Sequence, residues 1–168
     1  EAAPPAPAAA PAAAEKDASL AAFFEAYDKA NLSYSPEGKA YRGIRDGDYG
    51  LWGDGSEAAE EAAFRRQDLA AKTVRTLYDP AKLSPQDALS VRLFLRAAER
   101  GASLRPFRQY GLIFDQMNGS QSELPTFLIN IHSVANKAQA EAYVSRLQRG
   151  GAALDQATGI AKERADKG

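Results

Sequence analysis

The sequence predicts an all-α protein, an array of about six helices with one ordered, glycine-rich loop. Three observations lead to this fold class. Apolar residues recur at helical spacing in most segments that follow Asp17. Serine and asparagine residues stand where these stripes begin, as helix caps do. A single segment, residues 124–132, could instead be a buried strand, and a lone strand with no sheet to join would be unstable.

Composition limits the chemistry that this chain can carry. Of its 168 residues, 45% are hydrophobic, and 21 basic against 22 acidic side chains leave a net charge of −1. A chain without excess positive charge is poorly suited to sequence-independent binding of nucleic acid. No apolar run approaches the roughly 18 residues that a membrane span needs. With no cysteine and one histidine, His132, the chain can form neither a thiolate nor a multi-histidine zinc site, so we expect no metal or other cofactor in it.

The first residues of the chain have the composition of a spacer. Residues 1–14 contain only glutamate, alanine and four prolines, and prolines spaced this closely stop a helix from propagating. We therefore predict a disordered Ala/Pro-rich tether over residues 1–16 and a helical domain over residues 17–168. Two origins of the tether stay open. In the first, the tether followed an export signal or lipid-attachment segment that was removed. In the second, it is an internal low-complexity linker.

The first helix is predicted to begin at Asp17. Leu20, Phe23, Phe24 and Tyr27 lie at positions i, i+3, i+4 and i+7, which share one face of a helix. The segment that follows is too rich in glycine and proline for another long element. The pattern therefore indicates a short turn of helix and then an ordered loop.

The loop contains most of the six glycines of residues 33–55. Two functions could be considered for it, phosphate binding and calcium binding, and the sequence disfavours both. Its glycines lack the Lys-Ser/Thr ending of a phosphate-binding loop. Asp46 and Asp48 are spaced like calcium ligands, yet apolar residues interrupt the acidic positions. A structural loop is favoured, in which Tyr49 and Trp52 pack the loop onto the helices.

Two longer helices are predicted in the middle of the chain. Ser56 caps one that runs to about Tyr78. Ser84, followed by proline, caps the next, which continues until Gly101 ends or bends it. Apolar side chains occupy two sides of this second helix, a pattern typical of a central helix, so Leu95 is expected to be fully buried.

Three further helices complete the predicted array. Residues 119–132 are predicted to be helical, because their apolar side chains keep helical spacing. Asn136 and Gln139 form a capping-box pattern for the next helix, and Gly150 and Gly151 are expected to stop it. The last helix then has a thin apolar stripe, which suggests a missing partner.

Catalytic constellations are few in this sequence. A Ser-His-Asp triad would have to use His132, and no G-x-S-x-G motif marks a nucleophile, so an independent hydrolase is the least favoured function. Residues 105–132 are more informative, since amide and acidic side chains alternate there with aromatic ones. Two interpretations stay open: these side chains satisfy backbone groups of a packed irregular segment, or they line a cleft for an extended peptide.

Five segments of the sequence resemble a known family. In chain order they are FFEAY (23–27), SPEGKAYRGIRDGDY (35–49), LSPQDALSVRLF (83–94), FDQMNGSQSELPTFLINIHSV (114–134) and AEAYVSRL (140–147). Together they are similar to the opening of the bacterial "domain of unknown function 885" proteins, over about residues 19–168. The block from Phe114 to His132 is the most specific part of this resemblance.

The resemblance implies a large, mostly helical parent protein, often exported or lipid-anchored, that is similar to zinc metallopeptidases and has an H-E-x-x-H helix in its C-terminal part. In that motif two histidines bind zinc and the glutamate works as the general base. This sequence departs from the pattern, because the residues after His132 are Ser133, Val134, Ala135 and Asn136. The resemblance thus implies zinc in the full-length parent, of which this chain would be the N-terminal portion.

The leading hypothesis is therefore the N-terminal helical portion of a zinc-dependent peptidase of the periplasm or cell envelope, inactive alone. Its expected partners are the C-terminal portion of the same protein and a peptide substrate, with neither nucleic acid nor a transmembrane span. Five polar residues in or beside the family-like segments are the candidates for the substrate cleft: Arg45, Asp115, Gln116, Asn118 and His132. For a lone histidine, however, a buried hydrogen bond is the more common role. The alternative function is a self-contained helical binding or scaffold module with no catalytic activity.

Overall fold

A computed structural model describes residues 17–167 and confirms an all-α fold for them. The tether predicted over residues 1–16 lies outside the described residues. Six α-helices are present in the described chain: α1 (Ala18–Leu32), α2 (Pro36–Tyr41), α3 (Glu57–Leu77), α4 (Pro85–Leu104), α5 (Ser120–Asn130) and α6 (Lys137–Lys167). Short 3₁₀ turns at Pro80–Lys82 and Arg105–Tyr110 flank α4. None of these described helices is long and apolar enough to cross a membrane.

The helices begin close to where the sequence predicts them, because side chains satisfy their first backbone N–H groups. Asp17, Ser56 and Ser84 accept hydrogen bonds from backbone N–H groups at the starts of α1, α3 and α4. Before α6, the Gln139 N–H donates to Asn136 Oδ1 at 3.0 Å, and the Gln139 side chain accepts from a preceding backbone N–H at 2.7 Å. This reciprocal pair resembles the predicted capping box.

The first of two hydrophobic clusters joins α1, α3 and α4. At its centre, Leu20, Val74 and Val91 are each 1% exposed or less. The aromatic side chains of α1 extend this cluster, and the ring centroids of Phe24 and Phe94 lie 5.3 Å apart. The apolar stripe predicted for the first helix therefore faces the core.

Helix α4 is less central than its two apolar stripes predict. Leu95 is half-buried and packs at the edge of the first cluster, so the expectation that it is fully buried is wrong. On the opposite side Leu93 is 61% exposed, because no described element covers it. The helix also continues through Gly101 to its end at Leu104. A Cβ at Gly101 would lie 3.1 Å from the Gln67 side chain of α3, so this glycine lets the two helices approach each other.

Helix α6 is continuous where the sequence predicts a break. It spans 31 residues, Lys137–Lys167, and neither Gly150 nor Gly151 has a positive φ. A glycine inside a helix costs roughly 0.5–1 kcal/mol relative to alanine, and contacts of the second half offset that cost. For example, the Gln156 amide donates to Asp54 Oδ1 of the loop at 3.0 Å. The predicted last helix is therefore the second half of α6.

Candidate functional site

The glycine-rich loop between α2 and α3 lies against α6, as its aromatic residues predict. Tyr49 is 4% exposed, and its hydroxyl donates to the carbonyl oxygen of Ser133 at 3.0 Å. The Trp52 indole N–H donates to the carbonyl oxygen of Arg146, in α6, at 2.9 Å. These two hydrogen bonds fix the loop on the helices and make it one wall of the site described below.

The acidic side chains of this loop are paired with a lysine. Lys39 Nζ, from α2, lies 2.9 Å from Asp46 Oδ2 and also contacts Asp48 Oδ2. The hydrogen bonds that Lys39 donates to Asp48 and Asp46 raise the pKa of Lys39, and the bond to Asp46 lowers the pKa of that carboxyl group. Both acidic side chains are thus paired with the same ammonium group of α2.

A fully buried arginine lies beneath the loop. Arg146 is 0% exposed. Its Nε donates to the Leu51 carbonyl at 2.9 Å, its Nη2 donates to the Pro36 carbonyl at 3.3 Å, and its Nη1 lies 3.2 Å from His132 Nδ1. No ion pair among residues 17–167 includes this guanidinium. Arg146 therefore joins α2, the loop and α6 through neutral acceptors.

Three aromatic rings pack around the Arg146 guanidinium. Its Cζ lies 4.6 Å from the ring centroid of Phe127 and 5.3 Å from the centroids of Tyr49 and Trp52. The face of an aromatic ring attracts a cation by roughly 0.5–2 kcal/mol, with the larger value for desolvated pairs. The rings therefore supply part of the stabilisation that a paired carboxylate would otherwise give to a buried positive charge.

His132 completes this network as a neutral imidazole. Because the guanidinium can only donate, Nδ1 of His132 accepts from Arg146, and Nε2 carries the proton that it donates to the Gln139 carbonyl at 3.2 Å. Burial lowers the pKa of His132 below its ordinary value of 6.5, and the positive charges of Arg146 and Arg45 lower it further. Both ring nitrogens are thus engaged inside the protein.

The structure places two of the five predicted cleft residues at the same tyrosine. The His132 ring centroid is 4.2 Å from the Tyr49 ring centroid, and the Arg45 Cζ is 5.8 Å from it. Arg45 is exposed, and its Nη2 donates to Ser133 Oγ at 2.6 Å. His132 is buried, with 5% of its surface exposed. These two residues therefore flank one ring but differ in their access to solvent.

The other three predicted cleft residues, Asp115, Gln116 and Asn118, lie together in the exposed loop before α5. Asp115 Oδ1 accepts from the N–H groups of Asn118 at 2.5 Å and Met117 at 2.6 Å, and these bonds lower the pKa of Asp115. Gly119 closes the loop with a φ of 117°, and a Cβ there would lie 2.6 Å from a backbone oxygen. The most family-specific block of the sequence thus begins with a tight turn held by its own carboxylate.

Apolar side chains near this turn are more exposed than the sequence predicts. Tyr110 and Met117 are each 77% exposed, and Leu112 is 81% exposed, although an irregular segment with these residues was expected to pack down. One amide does have the predicted structural role, since Gln121 Nε2 donates to the Asp115 carbonyl at 2.5 Å. The backbone of the turn is therefore bonded by its own side chains, while these three apolar side chains stay at the surface.

A cavity of about 510 Å³ opens beside the Arg146 network, between α2, the loop, α5 and α6. Trp52 and Phe127 line this cavity and also contact Arg146, so the two features share a wall. Apolar side chains of α5 and α6, such as Leu124 and Ile160, line much of the remainder. The cavity is therefore bounded by helices and the hydrogen-bonded loop, and its lining is mainly aromatic and aliphatic.

Both charged side chains that line this cavity are carboxylates. Glu37, from α2, is half-buried, and its Oε1 accepts from the Gly53 N–H at 2.8 Å. Glu123, from α5, is exposed, as is the ring of Tyr41, so these two residues mark the mouth. None of the described lysines and arginines lines the cavity. Its walls thus combine apolar surface with negative charge.

Sequence reasoning missed Arg146 and the two cavity carboxylates. The apolar side chains Val144 and Leu147 of this helix are 49% and 53% exposed. The buried face of the helix instead contains Arg146, three residues after the half-buried Tyr143. That spacing was visible in the sequence, but a charged residue is normally assigned to the solvent face of a helix.

The cavity, the Arg146 network and all five predicted cleft residues lie within one family match. A sequence model of the family described as "Bacterial protein of unknown function (DUF885)" matches residues 36–168. The chain belongs to the DUF885 family. The DUF885 match begins at α2, so the FFEAY segment of α1 precedes it. No curated protein and no solved structure matches this DUF885 chain.

Proposed function

We propose that this DUF885 chain is the N-terminal helical portion of a zinc-dependent peptidase of the cell envelope, and that it contributes scaffold and part of the substrate cleft. The observation that supports this most directly is the cavity between α2, the loop, α5 and α6. Its volume of about 510 Å³ lies in the range of small-molecule and substrate sites, roughly 300–1,000 Å³. Walls made of helices and a hydrogen-bonded loop can position a peptide and exclude water from the reacting bond.

The residues of this chain do not fit a zinc centre of their own. A catalytic zinc site takes three protein ligands, usually histidine and carboxylate side chains. Both ring nitrogens of His132 are engaged by Arg146 and Gln139. Within residues 17–167, no three potential ligand side chains are grouped as a metal site requires. Zinc and the H-E-x-x-H helix therefore belong, in this proposal, to another part of the parent protein.

Exposed apolar side chains support a proposed contact with the C-terminal portion of the parent. Leu93 of α4 and Leu112 and Met117 near α5 are 61%, 81% and 77% exposed. Apolar surface of this kind commonly marks a site of protein interaction. The Ala/Pro-rich residues 1–16, outside the described part, would act as a spacer between this domain and the envelope.

The first test measures activity with and without metal. We expect the full-length parent to hydrolyse peptides and a zinc chelator to abolish that hydrolysis. The 168-residue chain alone is expected to hydrolyse no peptide and to bind no stoichiometric zinc in calorimetry. A parent that cleaves no peptide would contradict the proposal and favour the binding-module alternative. A tight one-to-one zinc complex of the chain alone would contradict the assignment of zinc to another part.

The second test uses two neighbouring alanines of α6. Ala153 lines the cavity, whereas Ala152 is exposed and does not. In the parent, Ala153→Trp should fill part of the cavity and raise KM for peptides about tenfold, which corresponds to about 1.4 kcal/mol of lost binding. Ala152→Trp should leave KM within about twofold, since it adds the same side chain outside the cavity. Equal effects of the two substitutions would show that the cavity takes no part in peptide binding.

A further inference from the structure

We propose that the cavity binds a primary ammonium group attached to a large apolar body, the combination found at the N-terminus of a peptide that begins with an apolar residue. This inference rests on the proposed function for the identity of the ligand as a peptide. The binding itself requires no catalysis and can be measured on this chain alone.

The charges around the cavity favour a cation. Glu37 and Glu123 line it, and no ion pair among residues 17–167 uses either carboxylate. One oxygen of Glu37 accepts from the Gly53 N–H, which leaves Oε2 for another donor. An ammonium group has three N–H donors and no acceptor, so it can donate to carboxylate oxygens of this kind. An anion placed here would instead meet two carboxylates.

The nearby Arg146 does not remove this preference. Its guanidinium lies against the rings of Trp52 and Phe127 and is not itself a lining residue of the cavity. The charges of Glu37, Glu123 and Arg146 sum to −1, and the charge of Glu37 acts on Arg146 at a distance without forming an ion pair. A ligand with a single positive charge would balance this net charge. The cavity therefore selects a ligand by its charge as well as by its apolar surface.

The walls of the cavity supply the apolar part of the site. Leu124, Ile160 and Ala157 can bury the body of the ligand, and burial of its apolar surface favours binding. Tyr41 at the mouth presents an exposed aromatic ring, which attracts an ammonium group. Aromatic, aliphatic and carboxylate groups therefore meet in one cavity of about 510 Å³.

Trp52 provides a direct reporter for the test, because it is the single tryptophan of the chain and lines the cavity. Its fluorescence is followed while the 168-residue chain is titrated with phenethylamine, 2-phenylethanol or 3-phenylpropionate. The three probes have similar bodies and carry a positive, a neutral and a negative group. We expect phenethylamine to bind about tenfold more tightly than the alcohol, and the acid to bind most weakly. The dipeptide Phe-Ala amide should bind at least as well as phenethylamine, and its N-acetyl derivative about tenfold more weakly, because acetylation removes the charge.

A matched pair of variants locates the site. Glu123→Gln should weaken phenethylamine about tenfold and leave 2-phenylethanol unchanged, since it removes a charge and keeps the shape of the side chain. Glu25→Gln removes the same charge from the exposed surface of α1 and should change neither affinity. Equal effects of the two variants, equal binding of the amine and the alcohol, or no binding of any probe would each overturn the inference. Binding of the free amine with no binding of the dipeptide would reject the peptide as ligand.

These outcomes separate the inference from the proposed function. Ammonium-selective binding by this chain, with no peptide hydrolysis by the parent, would contradict the peptidase proposal and leave the cation site standing. Hydrolysis by the parent, with equal binding of amine and alcohol, would support the peptidase proposal and contradict the cation site.

Discussion

The guanidinium of Arg146 links segments of the described chain that are far apart in the sequence. It is 0% exposed and donates to carbonyl oxygens of Leu51 and Pro36, which are 95 and 110 positions away in the chain. A buried donor of this kind satisfies backbone acceptors that water cannot reach. Removing it leaves those acceptors unpaired, and each unpaired buried polar group costs about 1–3 kcal/mol.

We therefore expect Arg146→Met to lower the free energy of unfolding by about 3 kcal/mol or more. Methionine keeps the length of the side chain and removes all of its donors. The control is Arg149→Met, the same change at an exposed position of the same helix, which should have an effect within about 0.5 kcal/mol. Urea unfolding followed by circular dichroism measures both variants. Similar stability of the two would show that the buried guanidinium contributes little.

The lowered pKa of His132 predicts a stability that depends on pH. The unfolded chain takes up a proton near pH 6.5, while burial and the charges of Arg146 and Arg45 delay protonation of the folded chain to lower pH. Between these two pKa values the unfolded state binds more protons, so the free energy of unfolding rises with pH. The stability is thus complete above about pH 6.5 and is lost as the pH falls toward the lowered pKa.

His132 is the single histidine of the chain, which makes this prediction simple to measure. As the pH decreases below about 6.5, the free energy of unfolding should fall by up to about 1.4 kcal/mol per pH unit, and His132→Gln should remove that part of the slope. Carboxylates titrate mainly at lower pH than histidine. A proton NMR titration of the folded protein should place the midpoint of His132 below 6.5. A midpoint above that value would contradict the neutral imidazole in the Arg146 network.

At the scale of secondary-structure elements, α6 shows how contacts override a local signal. Two adjacent glycines favour the end of a helix because their backbone is flexible. Each glycine inside a helix costs roughly 1 kcal/mol of stability relative to alanine. The second half of α6 nevertheless continues in line, because it covers the cavity and bonds to the loop. The Gln156 side chain accepts from the Gly55 N–H at 3.0 Å, and the Arg164 side chain donates to the Gly111 carbonyl at 2.8 Å.

A continuous α6 predicts that an alanine at Gly151 stabilises the protein. Gly151→Ala should raise the free energy of unfolding by about 0.5–1 kcal/mol, because the backbone is helical and a Cβ would meet no atom within 4 Å. Gly119→Ala provides the contrast, since φ there is 117° and the Cβ would meet a backbone oxygen at 2.6 Å. That change should lower stability by about 1–3 kcal/mol. A loss of stability on Gly151→Ala would indicate that the helix breaks at this point.

At the scale of the whole molecule, the exposed apolar surface near residues 105–119 predicts association. Leu112 and Met117 are 81% and 77% exposed, in the segment where we propose that the C-terminal portion packs. The isolated 168-residue chain should therefore bind a hydrophobic dye or self-associate at high concentration. Addition of the C-terminal portion should suppress both effects.

A double variant tests where this surface lies. Leu112→Gln combined with Met117→Gln should reduce dye binding and self-association, as measured by fluorescence and sedimentation. Leu69→Gln combined with Leu77→Gln removes two exposed leucines from α3 and should reduce them less. A chain that stays monomeric, binds no dye and unfolds in one cooperative transition would point to the self-contained binding module.

The all-α fold, the starts of the helices and the family could be predicted from the sequence, because periodicity and capping depend on residues within one or two turns of each other. The choice of a helix over a strand at α5 rested on the same local spacing, and the structure confirms it. The buried side of α6, its continuity and the cavity could not be predicted in this way. They depend on contacts such as that of Arg146 with the Pro36 carbonyl, across 110 positions of the chain. Burial is a property of the assembled elements, so a charged residue that looks like a solvent-facing one in the sequence can become the centre of a core when distant carbonyl groups and aromatic rings converge on it.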